Sequence, residues 1–194
     1  MPFNAPKTAQ RPVLPAGLHL ARLVGLTDLG THTVEVKDDK TGQMKAKDLR
    51  KVRLAFETPN KRAVFKEDGQ EEPFTVGMEA TLSMHERASL RKLVENWQGR
   101  KFKNQTEADA FDLSSLLGQP CTITTTVNTS ASSGKEYAKI GSVSPVMEGV
   151  NVPPQHNPSV LYQIQDGANA VFEKLPPFVK ETILNSHEAQ GWGN

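Results

Sequence analysis

From Lys45 to Lys66 the chain carries eight basic residues, Lys45, Lys47, Arg50, Lys51, Arg53, Lys61, Arg62 and Lys66, against two acids, Asp48 and Glu57. A second run holds Arg87, Arg91, Lys92, Arg100, Lys101 and Lys103 against Glu95. Ammonium and guanidinium groups at this density can neutralise phosphates, and the attraction so gained is indifferent to base sequence. An aromatic ring among them adds a face on which an unpaired base can stack, at about 1–3 kcal/mol per base. Phe65 lies inside the first run, and Tyr137 stands between Lys135 and Lys139. The candidate nucleic-acid-binding residues are therefore Lys47, Lys51, Arg53, Lys61, Arg62, Phe65, Lys66, Lys135, Tyr137 and Lys139. A net charge of only +1 hides these runs, because residues 151–194 hold Lys174 and Lys180 against Asp166, Glu173, Glu181 and Glu188. Two solvated charged faces would give the same composition.

Catalytic chemistry finds no comparable set. His19, His32, His85, His156 and His187 are scattered without His-x-x-x-His or His-Glu-x-x-His spacing. No phosphate-cradling glycine loop and no Gly-x-Ser-x-Gly elbow occurs. Asp38-Asp39 and Glu71-Glu72 are adjacent pairs, and on a strand adjacent side chains point to opposite faces, which separates their carboxylates. Cys121 is the only cysteine, so neither an intramolecular disulfide nor a cysteine-based zinc site can form within one chain. The expectation is a binding protein, not an enzyme, with no cofactor and no metal. The opening Met1-Pro2-Phe3-Asn4-Ala5-Pro6 lacks the apolar stretch of a signal peptide. No run approaches the roughly 20 apolar residues of a membrane span. A soluble, cytosolic protein is expected, with no membrane partner.

The elements that would position these residues follow from periodicity and punctuation. Leu18, Leu20, Val24 and Leu26 suggest a first strand over 17–29, ended by Asp28-Leu29-Gly30 and continued past a bend over 31–36. Residues 38–43 form a polar turn in which Gly42 can take positive φ. Val52, Leu54 and Phe56 alternate with Lys51, Arg53 and Ala55, a half-buried strand over 47–57 with a basic outer face. Thr58-Pro59-Asn60 is read as its break, and a short segment over 63–65 leads to a turn at Glu67-Asp68-Gly69. A third strand spans 73–82. Ser83 and Glu86 have capping-box spacing, and Leu90, Leu93, Val94 and Trp97 recur at helical intervals up to Gly99. A shorter helical stretch follows over 106–117. Strands over 121–127 and 135–143 flank a small polar loop at 128–134. A Pro/Asn linker over 149–158 precedes a helix over 177–188 with Phe178, Ile183 and Leu184 apolar.

Three strands, a helix, then two strands is the element order of a five-stranded OB-fold barrel with a helix between strands 3 and 4. The expected fold is thus mainly β, with a C-terminal helical tail. The chain divides into a flexible N-terminal arm at 1–15, an OB-fold nucleic-acid binding domain at 16–150, and a Pro-rich linker with a C-terminal helix at 151–194. The groove of such a barrel lies across strands two and three, flanked by the loops joining strands one to two and four to five.

Several segments resemble a family. Arg53-Leu54-Ala55-Phe56-Glu57-Thr58-Pro59, Ser83-Met84-His85-Glu86-Arg87-Ala88-Ser89-Leu90-Arg91-Lys92 and Trp97-Gln98-Gly99-Arg100-Lys101-Phe102 look like stretches of small tailed-bacteriophage proteins. Phe111-Asp112-Leu113, Leu116-Leu117-Gly118-Gln119-Pro120-Cys121 and Tyr137-Ala138-Lys139-Ile140 are similar too. These proteins belong to phage DNA-replication modules and are regarded as single-stranded DNA-binding OB proteins. The resemblance covers about residues 17–150 and, more faintly, the helix after Leu175-Pro176-Pro177. It implies protection of single-stranded DNA during replication or recombination, in the cytoplasm of an infected bacterium. Phage replication or recombination proteins are then further candidate partners. It supplies no contact residues.

Many single-strand binding proteins end in an acidic tail with a terminal hydrophobic residue that recruits partners. This chain ends Gln190-Gly191-Trp192-Gly193-Asn194. Its last helix is expected to pack on the barrel or on a neighbouring subunit, which leaves a homo-oligomer open. The rival from another class is an OB-fold adaptor or inhibitor that binds a host or phage replication protein, a role suited to near-neutral charge and few exposed aromatics.

Overall fold

The strand that organises the structure is β1 (Gly17–Lys37), because three other strands of the sheet pair with it. The structure is a computed structural model and describes residues 11–38, 41–67 and 69–192. After β1 come β2 (Met44–Val64), β3 (Glu71–Thr81), α1 (Ser89–Gln98), the short α2 (Gln105–Asp109), β4 (Pro120–Thr129) and β5 (Glu136–Ser144). The C-terminal part adds β6 (Val160–Tyr162), α3 (Ala170–Glu173) and α4 (Pro177–Leu184). The fold is mainly β, with one six-stranded sheet. Its path runs β3-β2-β1-β4-β5 with antiparallel neighbours, and β6 joins β1 in parallel. β3 and β5, the two ends of the path, lie against each other, which curls the sheet into a barrel-like shape.

Hydrophobic alternation decides which face turns inward. Val52, Leu54 and Phe56 are buried, as are Phe74, Val76 and Ala80 from β3 and Cys121 and Ile123 from β4. Each such large side chain contributes about 1.5–3 kcal/mol by leaving water. α1 packs on β3 and β5, the two strands at the ends of the path. Its buried stripe is Leu90, Leu93, Val94 and Trp97, the spacing expected for one face of a helix. The Trp97 indole N–H donates to the Pro120 carbonyl at 3.0 Å. Gly99 ends the helix at φ 65°, where its lack of Cβ is needed.

The first strand continues past the bend at Asp28-Leu29-Gly30, as expected, and reaches Lys37 through register shifts at Leu23/Gly25 and Asp28/Gly30, with Gly30 at φ 78°. Three local expectations are corrected. Thr58-Pro59-Asn60 does not break β2, because the strand absorbs these residues as a bulge between Thr58 and Arg62. Helix α1 starts at Ser89, and its N-cap Ala88 provides no side-chain cap. The Ser83 hydroxyl instead accepts from the His85 N–H at 3.3 Å in the preceding turn. Arg91, read as part of a solvated helix face, is buried. It donates to Glu95 at 2.9 Å and Gln105 at 3.0 Å, which ties α1 to α2. This hydrogen bond holds the Glu95 carboxyl below the usual carboxylate range.

The tail past residue 150 wraps around the barrel. The Arg22 guanidinium donates to the carbonyls of Gly118, Val152 and Pro153 at 2.7–2.8 Å. Glu57, fully buried on β2, accepts from the His156 and Asn157 backbone N–H groups at 2.6 and 2.9 Å, and from Asn157 Nδ2 at 2.6 Å. β6 then pairs with Gly25–Thr27 of β1, just beyond where β4 stops. A second core follows, made of Leu29, Tyr162, Ile164, Phe172, Leu175, Val179 and Ile183. α4 is shorter than the sequence suggests. Its buried stripe is Val179 and Ile183, while Phe178 and Leu184 are each 52% exposed. Of the proposed N-terminal arm, residues 1–10 lie outside the described residues. Leu14, near its end, is buried in the main core.

Candidate nucleic-acid interface

The outer face of β2 is where parity places Lys51 and Arg53, opposite the buried Val52 and Leu54. The ten sequence candidates are not one cluster. Lys47 sits four residues before Lys51, where β2 and β1 extend as a hairpin joined by the turn at Gly42. The Gly42 N–H donates to the Asp38 carbonyl at 2.8 Å, with φ 70° as the turn requires. Lys61 lies in the bulge and Arg62 just past it, toward the opposite end of β2. At about 3.3 Å per residue, Lys47 and Lys61 are on the order of 40 Å apart along the strand. Lys135, Tyr137 and Lys139 belong to the β4–β5 hairpin, all exposed, with Tyr137 46% open to solvent.

Cations differ in how free they are. The side chains of Lys47, Lys51, Lys61, Lys66, Lys135 and Lys139 have no hydrogen-bond or ion-pair partner among the described residues. Arg62 donates to the Glu71 carbonyl at 2.7 Å. Arg50 is paired with the buried carboxylate of Asp28. Arg53 is enclosed without a hydrogen bond among the described residues. Its guanidinium lies 4.8 Å from the ring centre of Phe178 and 3.8 Å from a Glu79 carboxylate oxygen. Burial pushes this guanidinium below the usual arginine range, and Glu79 opposes the shift. Phe65 is not an open ring. It packs edge-on against Phe74 at 5.1 Å, with Arg11 over it at 5.4 Å, and adds to the core.

One cleft has no counterpart in the sequence pattern. Where β2 leaves the barrel, the segment between β3 and α1 folds back beside it, with the Leu82 N–H donating to the Arg50 carbonyl at 2.7 Å. Between them opens a concavity of about 500 Å³ whose charged lining is Lys47, Arg50 and Arg87 with Asp48, beside His85 and Ser89. Arg87 was visible in the second basic run, but only the close approach of this loop to β2 joins it to Lys47. Phe178 is legible from the sequence only as an apolar residue of its helix, and nothing local shows that half of it stays exposed. Cys121 is a core residue whose thiol burial pushes up to about 12, so it is protonated at neutral pH. Among the described residues no group of three or more His, Cys, Asp or Glu could hold a metal ion, and no helix is long and apolar enough to cross a membrane.

Comparisons with protein-family models, with curated proteins and with solved structures found no match to this chain.

Proposed function

We propose that this chain is an OB-fold protein that binds and protects single-stranded DNA with little regard to sequence, in phage replication or recombination. The strand path β3-β2-β1-β4-β5, with α1 between β3 and β4 in the chain, supports the OB assignment. One observation carries the ligand: lysines without partners among the described residues occur along β2 and its flanks, from the cleft lined by Lys47 and Arg87 to Lys61 and Lys66. Lysines left unpaired in the free protein keep their charge available for phosphates, and releasing the counterions drives binding. The preference for DNA, and the phage setting, rest on the resemblance of residues 17–150.

The test reverses charge where no structural role is at stake. Lys47→Glu, Lys51→Glu and Lys61→Glu together should weaken binding of an oligothymidine probe more than tenfold while thermal unfolding stays near wild type. The wild-type affinity should fall with salt, and the triple variant's log–log slope should be shallower by about 2. Unchanged affinity overturns the β2 assignment. Parallel titrations with duplex DNA and single-stranded RNA decide the nucleic acid.

A specific surface favours the second reading, a protein-binding module. Leu18 and Met147 are 72% and 76% exposed and, with Val150, line a cavity of about 230 Å³ beside β4. Exposed apolar groups clustered in this way mark protein contacts. No gel shift at micromolar protein and low salt would favour that role.

A further inference from the structure

The tail places an aromatic ring on the very face that carries the candidate cations. On the outer side of the sheet, Gly77 of β3 lies beneath the Arg53 guanidinium, and a Cβ at position 77 would collide with it. Glycine therefore leaves the seat in which the guanidinium rests. Phe178 covers that guanidinium, with Arg53 Cζ 4.8 Å from the ring centre, while half of the Phe178 surface remains open. Its helix is anchored from behind. Val179 and Ile183 are buried in the second core, Pro177 starts the helix, and the Ser186–Glu188 turn is bonded to β1 through Thr31. An exposed ring fixed on a rigid element, stacked on a cation and two residues along β2 from the unpaired Lys51, combines what a single strand needs: a flat apolar surface beside positive charge.

We infer that Phe178 is a base-stacking platform of the single-strand groove, and that the C-terminal segment is a wall of that groove, not a recruitment tail. The occupant is an unpaired nucleobase, resting on Phe178 while its phosphates meet Lys51 and the cleft cations. The ring also orders Arg53, so the guanidinium acts as a positioning group beneath it. This inference rests on the single-strand-binding proposal above, and the experiment separates the two.

The full chain is titrated with oligothymidine by fluorescence anisotropy as wild type, Phe178→Ala, Phe178→Leu and Phe178→Trp. Loss of one stacked base predicts about tenfold weaker binding for Phe178→Ala. Phe178→Leu keeps apolar bulk without a π face and should be weakened similarly. Phe178→Trp should bind at least as well as wild type, with its added emission quenched by the oligonucleotide. Thermal unfolding of each variant checks that the tail stays docked. Wild-type binding with an unaffected Phe178→Ala overturns the platform and leaves the single-strand proposal standing. So does full recovery by Phe178→Leu, which would mean bulk alone matters. Tighter binding by Phe178→Ala would show a tail that competes with DNA, and also overturns the inference. No binding by the wild type removes both.

Discussion

Arg22 and Glu57 show how a charged residue can be written into a strand without serving a ligand. Arg22 interrupts the apolar alternation of β1, and its guanidinium gives hydrogen bonds to three carbonyls. Glu57 looks like the last residue of a basic strand's outer face, yet it is fully buried, and among the described residues no cation pairs with it. Its carboxylate is satisfied by three N–H donors of the 156–157 turn. Removing the acceptor forfeits charge-assisted hydrogen bonds of about 1.5–3 kcal/mol each, and water reaches the exposed 156–157 donors and offsets part of the loss. Glu57→Leu should therefore lower stability by roughly 3 kcal/mol in urea unfolding. A loss below about 1 kcal/mol would mean the clasp contributes nothing. The inward residues Val52, Leu54 and Phe56 were legible from alternation alone. The roles of Arg22 and Glu57 were not, because their partners lie about a hundred residues away.

At the scale of elements, bulges explain most of what periodicity misread. The shift at Leu23/Gly25 puts both Leu23 and Leu26 in the main core despite their opposite parity. Leu29, odd relative to Leu26, then faces outward and seeds the second core. Gly30 makes the last bend possible and lets the tail approach: a Cβ there would come within 2.6 Å of Ser186 Cβ, at φ 78°. Gly30→Ala should loosen the tail by both routes, backbone strain of about 1–2 kcal/mol and the steric clash. Hydrogen exchange should then speed up at Thr31 and across 183–192, with little change in β3 and β5. Exchange unchanged across 183–192 would show that the tail does not depend on this approach. The misplaced start of α1 has a similar origin. Capping-box spacing is a local preference, and here Leu82 just before the turn is bonded to Arg50 of β2 while the Ser83 hydroxyl accepts from the His85 N–H inside it.

For the whole molecule, two cores share one strand. β1 contributes Leu23 and Leu26 to the first and Leu29 to the second, and β6 adds backbone hydrogen bonds between them. Elements coupled in this way should unfold as one unit. Trp97 belongs to the first core and Trp192 packs against the second, edge-on to Phe172 at 5.6 Å. Urea unfolding followed in Trp97→Phe and Trp192→Phe should therefore give transitions of the same shape, each reported by the remaining indole. An early transition for the Trp192 signal would make the tail an independent unit.

The mainly β character, the helix over Leu90 to Trp97, the basic composition of β2 and the positive-φ turn at Gly42 were determined by the sequence alone. Each follows from interactions between residues a few positions apart: alternation, helical spacing and turn chemistry. Only the tertiary structure decided that Lys47 and Arg87 line one cleft, that Phe65 is occupied, that Arg53 lies under Phe178, and that the tail is part of the barrel's outer wall. Those facts depend on contacts between residues far apart in the chain, and on bulges that switch which face a side chain meets. A single change of register on β1 is enough to reverse such an outcome, and no local pattern reports it.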